Sequence, residues 1–318
     1  VLAHSGLPHR RLNVGPLRGA APPRLAANLA RLAWATGQAM AAMAAFRPHV
    51  VLATGGYVSA PVALAAAARR VPLVLYLPDT SPGWAVRALA PLARRIALSF
   101  SHTKRYFKGG KAIVTGYPVR PEFLHANREA ARRSFGLQDE LPVVLVMGGS
   151  SGAQSINRAV AEVLEPLLHH AQVIHLCGEL DEQSLRAQRS RLEASIRARY
   201  HLFRYLHRGI AEAMAASDLV VSRAGASALA ELPILRRPAI LIPHPFGHQD
   251  DNAAFLVEQG AAVRLADRDL EHGVLLPAIL GLLEDRSRLE QMAAAMGMLA
   301  RPEAADNIAS LVRSVARR

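Results

Sequence analysis

Residues 143–265 repeat one phrase: a short run of β-branched and aliphatic residues, a break rich in glycine, serine or proline, then a helix-forming stretch. The apolar runs at 143–147, 172–177, 201–205, 218–222, 238–242 and 261–265 are too short for helices and do not alternate with polar residues. That is the pattern of strands buried on both faces. Helices are expected from about 154, then over 181–198, 210–216, 226–232 and 250–259, with two more over 271–284 and 286–316. Strands that alternate with helices pair in parallel, because each return crosses over a sheet face, so the repeat demands a parallel sheet covered on both sides. Ligands of such sheets lie outside the carboxyl ends of the strands. The informative loops are therefore the ones that follow strands.

The first half carries the same alternation. After Pro22-Pro23 a long helix is expected over 24–46, with Leu25, Leu29, Leu32, Met40 and Met43 as its core stripe. Trp34 falls on the opposite side, either at a membrane surface or under a neighbouring segment. "HVVLATGGYVSAP" and "VPLVLYLPDTSPGW" each run from a strand into a loop and a helix, and shorter strands follow at 95–99 and 112–114. Residues 121–140 turn polar and mixed in charge, which places a domain boundary there and divides the chain into 1–135 and 136–318. At 318 residues and 51% apolar, the chain can bury two cores.

Charge separates the halves. Residues 1–140 hold 19 Lys and Arg against 5 Asp and Glu, whereas residues 141–318 hold 19 against 20. The excess implies an anionic partner for the N-terminal part alone, unless it is only a solvated basic face. Nucleic acid is not expected, since aromatic residues are not interleaved with the basic ones as stacking requires. No apolar stretch reaches the length of a membrane span. The single cysteine, Cys177, reads as a buried strand end and suits a reducing cytoplasm.

Three loops stand out. In "VVLVMGGSSGAQSIN" the strand breaks into Gly148, Gly149 and Gly152, and Ser150 or Ser151 can cap the helix that follows. This is either a plain turn or a helix N-terminus that holds an anion; it lacks the Lys-Ser/Thr of a triphosphate loop and the dinucleotide spacing. In "SRAGASALAE" Gly225 permits a tight turn, and Glu231 is placed either to accept two hydrogen bonds from a vicinal diol or merely to complement a helix dipole. "PHPFGHQDDNAAF" puts His248, Gln249 and Asn252 around a helix start, where they can reach phosphate or sugar oxygens. Pro245 and Gly247 forbid a helix between His244 and His248, which argues against a zinc pair. Asp267 and Asp269 are read as a helix cap before Leu270, not as metal ligands.

In combination, "GGYVSAP" at 55–61, "TGYPVR" at 115–120, "GGSSGAQSIN" at 148–157, "SRAGASALAE" at 222–231 and "HQDDNA" at 248–253 resemble, in order and spacing, the MurG family of N-acetylglucosaminyltransferases. The resemblance runs from about Leu12 to the C-terminus. It implies a GT-B fold of two Rossmann-like doubly wound domains with a cleft between them, no metal, and no cofactor beyond the donor substrate, UDP-N-acetylglucosamine. It implies inverting transfer to a muramyl pentapeptide carried on undecaprenyl pyrophosphate, at the cytoplasmic face of the membrane, by a peripheral protein with an anionic lipid surface as partner. By position, Arg120 would meet the uracil with the backbone at Leu206 nearby, and Glu231 would bind the ribose. Ser150, Ser151 and Gly152 would face the diphosphate, and His248 and Gln249 the sugar, with Asn252 on the same donor side. Gly55, Gly56, Tyr57 and Ser59 would form part of the acceptor side.

Three departures accompany the resemblance. Nothing before Leu12 corresponds to the family's first strand and its glycine-rich loop ending in histidine, so the catalytic base is unassigned, and either an N-terminally incomplete sequence or a degenerate relative that has lost the segment is expected. "YLPDTSPG" at 76–83 stands where the family reads His-Glu-Gln-Asn, which puts Tyr76 in the histidine's place and Asp79 in the amide's, on the acceptor side. Pro233 should end or kink a helix that ordinarily continues. The competing expectations are a related glycolipid synthase with another lipid acceptor and a UDP-sugar-binding protein without turnover.

Overall fold

The structure is a computed structural model that describes residues 6, 8–15, 22–149, 153–206, 208–245 and 249–316. The sequence readings at Ser150, Ser151, Gly152 and His248 lie outside the described residues. The chain forms two compact units, one of residues 1–116 with 305–318 and one of residues 117–304.

In the first unit α1 (Pro22–Phe46) leads into β1 (Val51–Ala53), α2 (Ala60–Ala68), β2 (Leu73–Leu77), α3 (Trp84–Leu89), β3 (Arg95–Leu98) and β4 (Ala112–Val114). The four strands lie side by side in chain order, all parallel. β2 is buried along its whole length, as its unbroken apolar sequence requires.

The core face of α1 coincides only in part with the stripe of large residues: Met43 is buried and Leu25 and Leu32 are half-buried. Leu29 and Met40 are 50% and 37% exposed, while Asn28, Ala35, Ala39 and Met43 are buried. The helix packs along α2, whose Ala63, Ala65 and Ala66 are also buried. Small side chains on both helices let the backbones approach closely, so alanines set the contact and the larger residues are displaced to its flank. Trp34 is 72% exposed, which removes the alternative of burial under a neighbour. Tyr76 is also turned inward: its hydroxyl lies 2.8 Å from Ser99 Oγ and both residues are buried.

The second unit opens with α4 (Pro121–His125) and α5 (Arg128–Ser134), then β5 (Val143–Met147), α6 (Gln154–His170), β6 (Gln172–Leu176), α7 (Glu182–Arg191), α8 (Ala194–Arg197) and β7 (Tyr200–Phe203). It continues with α9 (Ile210–Ala216), β8 (Leu219–Ser222), α10 (Ala228–Leu235), β9 (Ala239–Leu241), α11 (Gln249–Glu258), β10 (Ala262–Arg264), α12 (Leu275–Glu284) and α13 (Arg286–Met298). Residues 117–135, read from sequence as the end of the first domain, belong here. Arg128 donates to Ser217 O at 2.7 Å and pairs with Asp218, whose other oxygen accepts from Val143 N, so α5 is fastened to the start of the sheet.

All six strands of this sheet are parallel, in the order β10-β9-β8-β5-β6-β7. β5 pairs with β6 on one side and β8 on the other, so the winding reverses between β5 and β8. A doubly wound sheet offers its ligand crevice at that reversal, outside the carboxyl ends of the strands. Val144 and Val146, with the facing residues of β6 and β8, are buried in one core with α6 and α12.

The helix expected over 181–198 is two, α7 and α8, that expected over 271–284 begins only at Leu275, and two proline positions also differ from the sequence reading. The helix expected over 286–316 is two, α13 and α14 (Ala304–Val315), parted at Pro302, which lacks the N–H to continue the ladder. From residue 305 the chain rejoins the first unit. Pro233 does not break α10; the helix runs two residues further and stops at Arg236, whose φ of 54° closes it in the left-handed region.

Candidate functional site

In the second unit the loops after β5 and β8 flank the winding reversal. β5 runs into Gly148 and Gly149, and Gly149 takes φ 86°, a conformation in which glycine carries no steric cost. α6 begins after Ala153, which offers no capping side chain. A helix N-terminus at the reversal point attracts an anion through both its N–H groups and its dipole.

Beneath that helix end lies a closed chain of buried polar groups. Asn157 Nδ2 donates to Cys177 O at 2.7 Å and to Asp181 Oδ2 at 2.6 Å. Asn157 Oδ1 is 3.0 Å from His175 Nε2, and His175 Nδ1 is 2.8 Å from the Tyr200 hydroxyl. Burial pushes the imidazole of His175 down to about 4, with Asp181 opposing the shift, so it is neutral at ordinary pH. Burial likewise raises the Tyr200 hydroxyl and the Cys177 thiol, which leaves this cysteine an inert core residue.

A second cluster ties four loops together. Arg223, just after β8, donates to Ser155 Oγ on α6 at 2.7 Å, to Ile242 O and Pro243 O after β9 at 3.1 and 3.3 Å, and to Asp267 after β10. Ser155 Oγ also donates to Asp267 Oδ1 at 2.7 Å. Asp267 is therefore not the helix cap read from the sequence. Burial alone would raise its carboxyl, but the hydrogen bonds from Ser155 and Arg223 and the Arg223 charge outweigh burial and hold it below the usual carboxylate range.

Arg120 and Glu231, singled out 111 positions apart, meet in this unit. Arg120 Nη2 lies 3.9 Å from Glu231 Oε1, and Arg120 Nη1 lies 2.9 Å from Glu122 Oε1, with the guanidinium over the Phe123 ring. Glu231 sits in the first turn of α10, largely buried; burial raises its carboxyl, Arg120 lowers it and Glu122 adds to the rise. Asn252 is buried, and its Nδ2 donates to Ala224 O at 3.0 Å, which joins α11 to the loop after β8. Gln249 opens α11 and accepts from His244 N at 2.9 Å, and Leu206 is half-buried in the loop after β7.

The acceptor-side residues belong to the first unit. Gly55 and Gly56 take φ 85° and 75° after β1, Ser59 Oγ donates back to Gly55 O, Tyr57 is exposed, and Asp79 is half-buried in the loop after β2. Among the described residues no three His, Cys, Asp or Glu side chains gather as a metal site would need. Sequence reasoning missed Arg223, Ser155, Asn157 and His175 because their partners lie far along the chain: Ser155 and Asp267 are 112 residues apart.

Comparison with known proteins agrees with this architecture. The model of the glycosyltransferase family 28 N-terminal domain matches residues 1–98, and that of the family 28 C-terminal domain matches residues 143–308. A UDP-N-acetylglucosamine–N-acetylmuramyl-(pentapeptide) pyrophosphoryl-undecaprenol N-acetylglucosamine transferase of Roseiflexus sp. is 42% identical over 99% of this chain and 80% of its own length. The protein of the same description from Desulforudis audaxviator is 38% identical over 99% of this chain and 87% of its own. The crystal structure of Acinetobacter baumannii MurG superposes with a TM-score of 0.75 at 24% identity, over 98% of this chain and 86% of that one. A Neisseria meningitidis UDP-GlcNAc 2-epimerase bound to UDP-GlcNAc shares the fold, at TM-score 0.65 and 16% identity, over 89% of this chain and 82% of that one. With both family 28 domains matched and relatives this similar along nearly its whole length, the chain belongs to glycosyltransferase family 28, within the MurG family.

Proposed function

We propose that the protein transfers N-acetylglucosamine, with inversion, from UDP-N-acetylglucosamine to a muramyl pentapeptide carried on undecaprenyl pyrophosphate. The observation that carries the reading is the site at the winding reversal of the second unit: the N-terminus of α6 beside the loop that leads to Glu231, with Arg120 at its carboxylate. Ionised Glu231 accepts both hydroxyls of the ribose, Arg120 faces the uracil with Leu206 close by, and residues 148–152 and the α6 amides face the diphosphate. His248, Gln249 and Asn252 serve the sugar side. As UDP leaves, negative charge grows on the diphosphate, and fixed amide dipoles already aimed at it stabilise that change without reorganising.

The acceptor falls to the first unit, through Gly55, Gly56, Tyr57, Ser59 and Asp79. Residues 1–116 contain 15 Lys and Arg and a single acidic residue, Asp79. Leu64, Trp84 and Leu92 are exposed around an apolar groove of about 210 Å³ that Val14, Leu32 and Tyr57 also line. Exposed apolar groups on a strongly basic unit suit the cytoplasmic surface of an anionic bilayer. No described helix is long and apolar enough to cross a membrane, which fits peripheral attachment.

Calorimetric titration of the chain with UDP-N-acetylglucosamine, without added metal, tests the donor half of the reading. Binding is expected, weaker in Glu231→Ala, and it should fade on acidification at a higher pH than an ordinary glutamate would give, because the Glu231 carboxyl is raised. A folded protein that binds no UDP-sugar, or binds equally well without Glu231, refutes the assignment. Transfer of labelled N-acetylglucosamine to the lipid-linked acceptor tests the other half.

A further inference from the structure

Three side chains of the second unit, each almost wholly inaccessible, spend their polar atoms on one another. Asn157 is on α6, His175 on β6 and Tyr200 on β7. The protonation of the chain follows from the donor count. Asn157 Nδ2 has two hydrogens, and both are used, on Cys177 O and Asp181 Oδ2. Its Oδ1 can only accept, so the nitrogen 3.0 Å away, His175 Nε2, carries the ring proton. His175 Nδ1 is then a bare acceptor, and the Tyr200 hydroxyl 2.8 Å from it is the donor. Every hydrogen has one place to go.

The far end of this chain is the N-terminal turn of α6. Asn157 N closes the first turn onto Ala153 O, and Gln154 Nε2 lies 3.5 Å from the same Asp181 carboxylate that Asn157 engages. The first turn is thus pinned at both ends to the segment after β6. No capping side chain does this among the described residues. We propose that His175, whose Nε2–H is fixed by Asn157 Oδ1 and whose Nδ1 accepts from Tyr200, is a positioning residue for the diphosphate of the donor: through Asn157 it fixes the angle and height of the α6 N-terminus. Losing the Tyr200 hydroxyl leaves Nδ1 a buried acceptor without a donor, and the ring shifts to find one; losing the imidazole leaves Asn157 Oδ1 without its donor. Either loss lets the Asn157 amide drift from Cys177 O and Asp181 Oδ2, and the first turn of α6 loosens with it.

The inference rests on the donor reading above, and the test separates the two by comparing UDP with uridine. Uridine presents the base and ribose to Arg120 and Glu231 but has nothing for α6. Tyr200→Phe, which keeps the ring in the core, and His175→Leu are titrated with both ligands, alongside a thermal unfolding curve for each. About a tenfold loss of UDP affinity is expected in both variants, with uridine changed less than twofold. In the unaltered protein, nitrogen-15 spectra should show His175 protonated on Nε2. If UDP and uridine weaken together, or neither weakens, the side chains only support the fold and the proposal is overturned, as it is by an Nδ1–H tautomer. If the unaltered protein does not bind UDP, the donor reading fails first and this inference with it.

Discussion

Replacing Asp267 probes the knot that holds the donor loops. Its carboxylate accepts from Ser155 and from Arg223, and the two charged side chains are only 24% and 12% exposed. Removing one partner of a buried ion pair costs about 3–5 kcal/mol, because the other charge is stranded. Here Arg223 keeps Ile242 O, Pro243 O and Ser155 Oγ as acceptors, and Asp267 is a quarter exposed, so the lower end applies. Asp267→Ala should lose about 2–3 kcal/mol of stability. Asp267→Asn keeps an acceptor but not the charge and should lose about 1–1.5 kcal/mol. The pH dependence has a definite sign. The folded carboxyl is held below its usual range, so its stabilisation is complete above the ordinary carboxylate pKa and is lost as pH falls through the folded value. Urea unfolding followed by circular dichroism at pH 7 and again near pH 3 measures both effects. The gap between Asp267→Asn and the unaltered protein should narrow at the lower pH. A gap that is constant with pH, or an Asp267→Ala change under about 0.5 kcal/mol, would mean that the cluster is a solvated surface pair.

Two further substitutions test other parts of the structure. Trp84→Ala should cut sedimentation with vesicles rich in phosphatidylglycerol about fivefold, the ~1 kcal/mol expected for withdrawing part of an indole from a bilayer surface, and leave UDP binding unchanged; undiminished sedimentation would move the membrane contact elsewhere. Arg236→Gly relieves a side chain held at φ 54° at the end of α10 and should raise stability by about 0.5–1 kcal/mol in thermal or urea unfolding, whereas a loss would show that the Arg236 side chain contributes more than its backbone strain costs.

The strands were legible because a parallel strand buried on both faces must be apolar throughout, and Val143 to Met147 is such a run. The reversal of winding was not, since strand order depends on which edges meet and no local pattern encodes it. α1 misled in part: a stripe of Leu and Met looks like a core face, yet of that stripe only Met43 is buried, together with Ala35 and Ala39, whose value lies in their small size. The boundary slipped because α4 and α5 are polar on their surfaces while Arg128 and Arg132 reach Asp218, some ninety residues on. Within the site, Arg120 and Glu231 could be named from loops with characteristic residues. Arg223, Asp267 and His175 could not, because each acquires its meaning from a partner supplied by a different strand–helix unit.

The last helix changes the order in which this protein can be completed. α14 lies at the very end of the chain, yet from residue 305 it belongs to the unit that begins at residue 1; Ile308, Leu311 and Val315 are buried, and Asn307 reaches Thr115 O. A ribosome delivers the N-terminal sheet first, but the helix that closes its unit emerges after the entire second unit. The second unit therefore has all its residues in hand before the first does. During that interval the first unit offers an uncovered apolar surface, and the unit started before the second is finished after it.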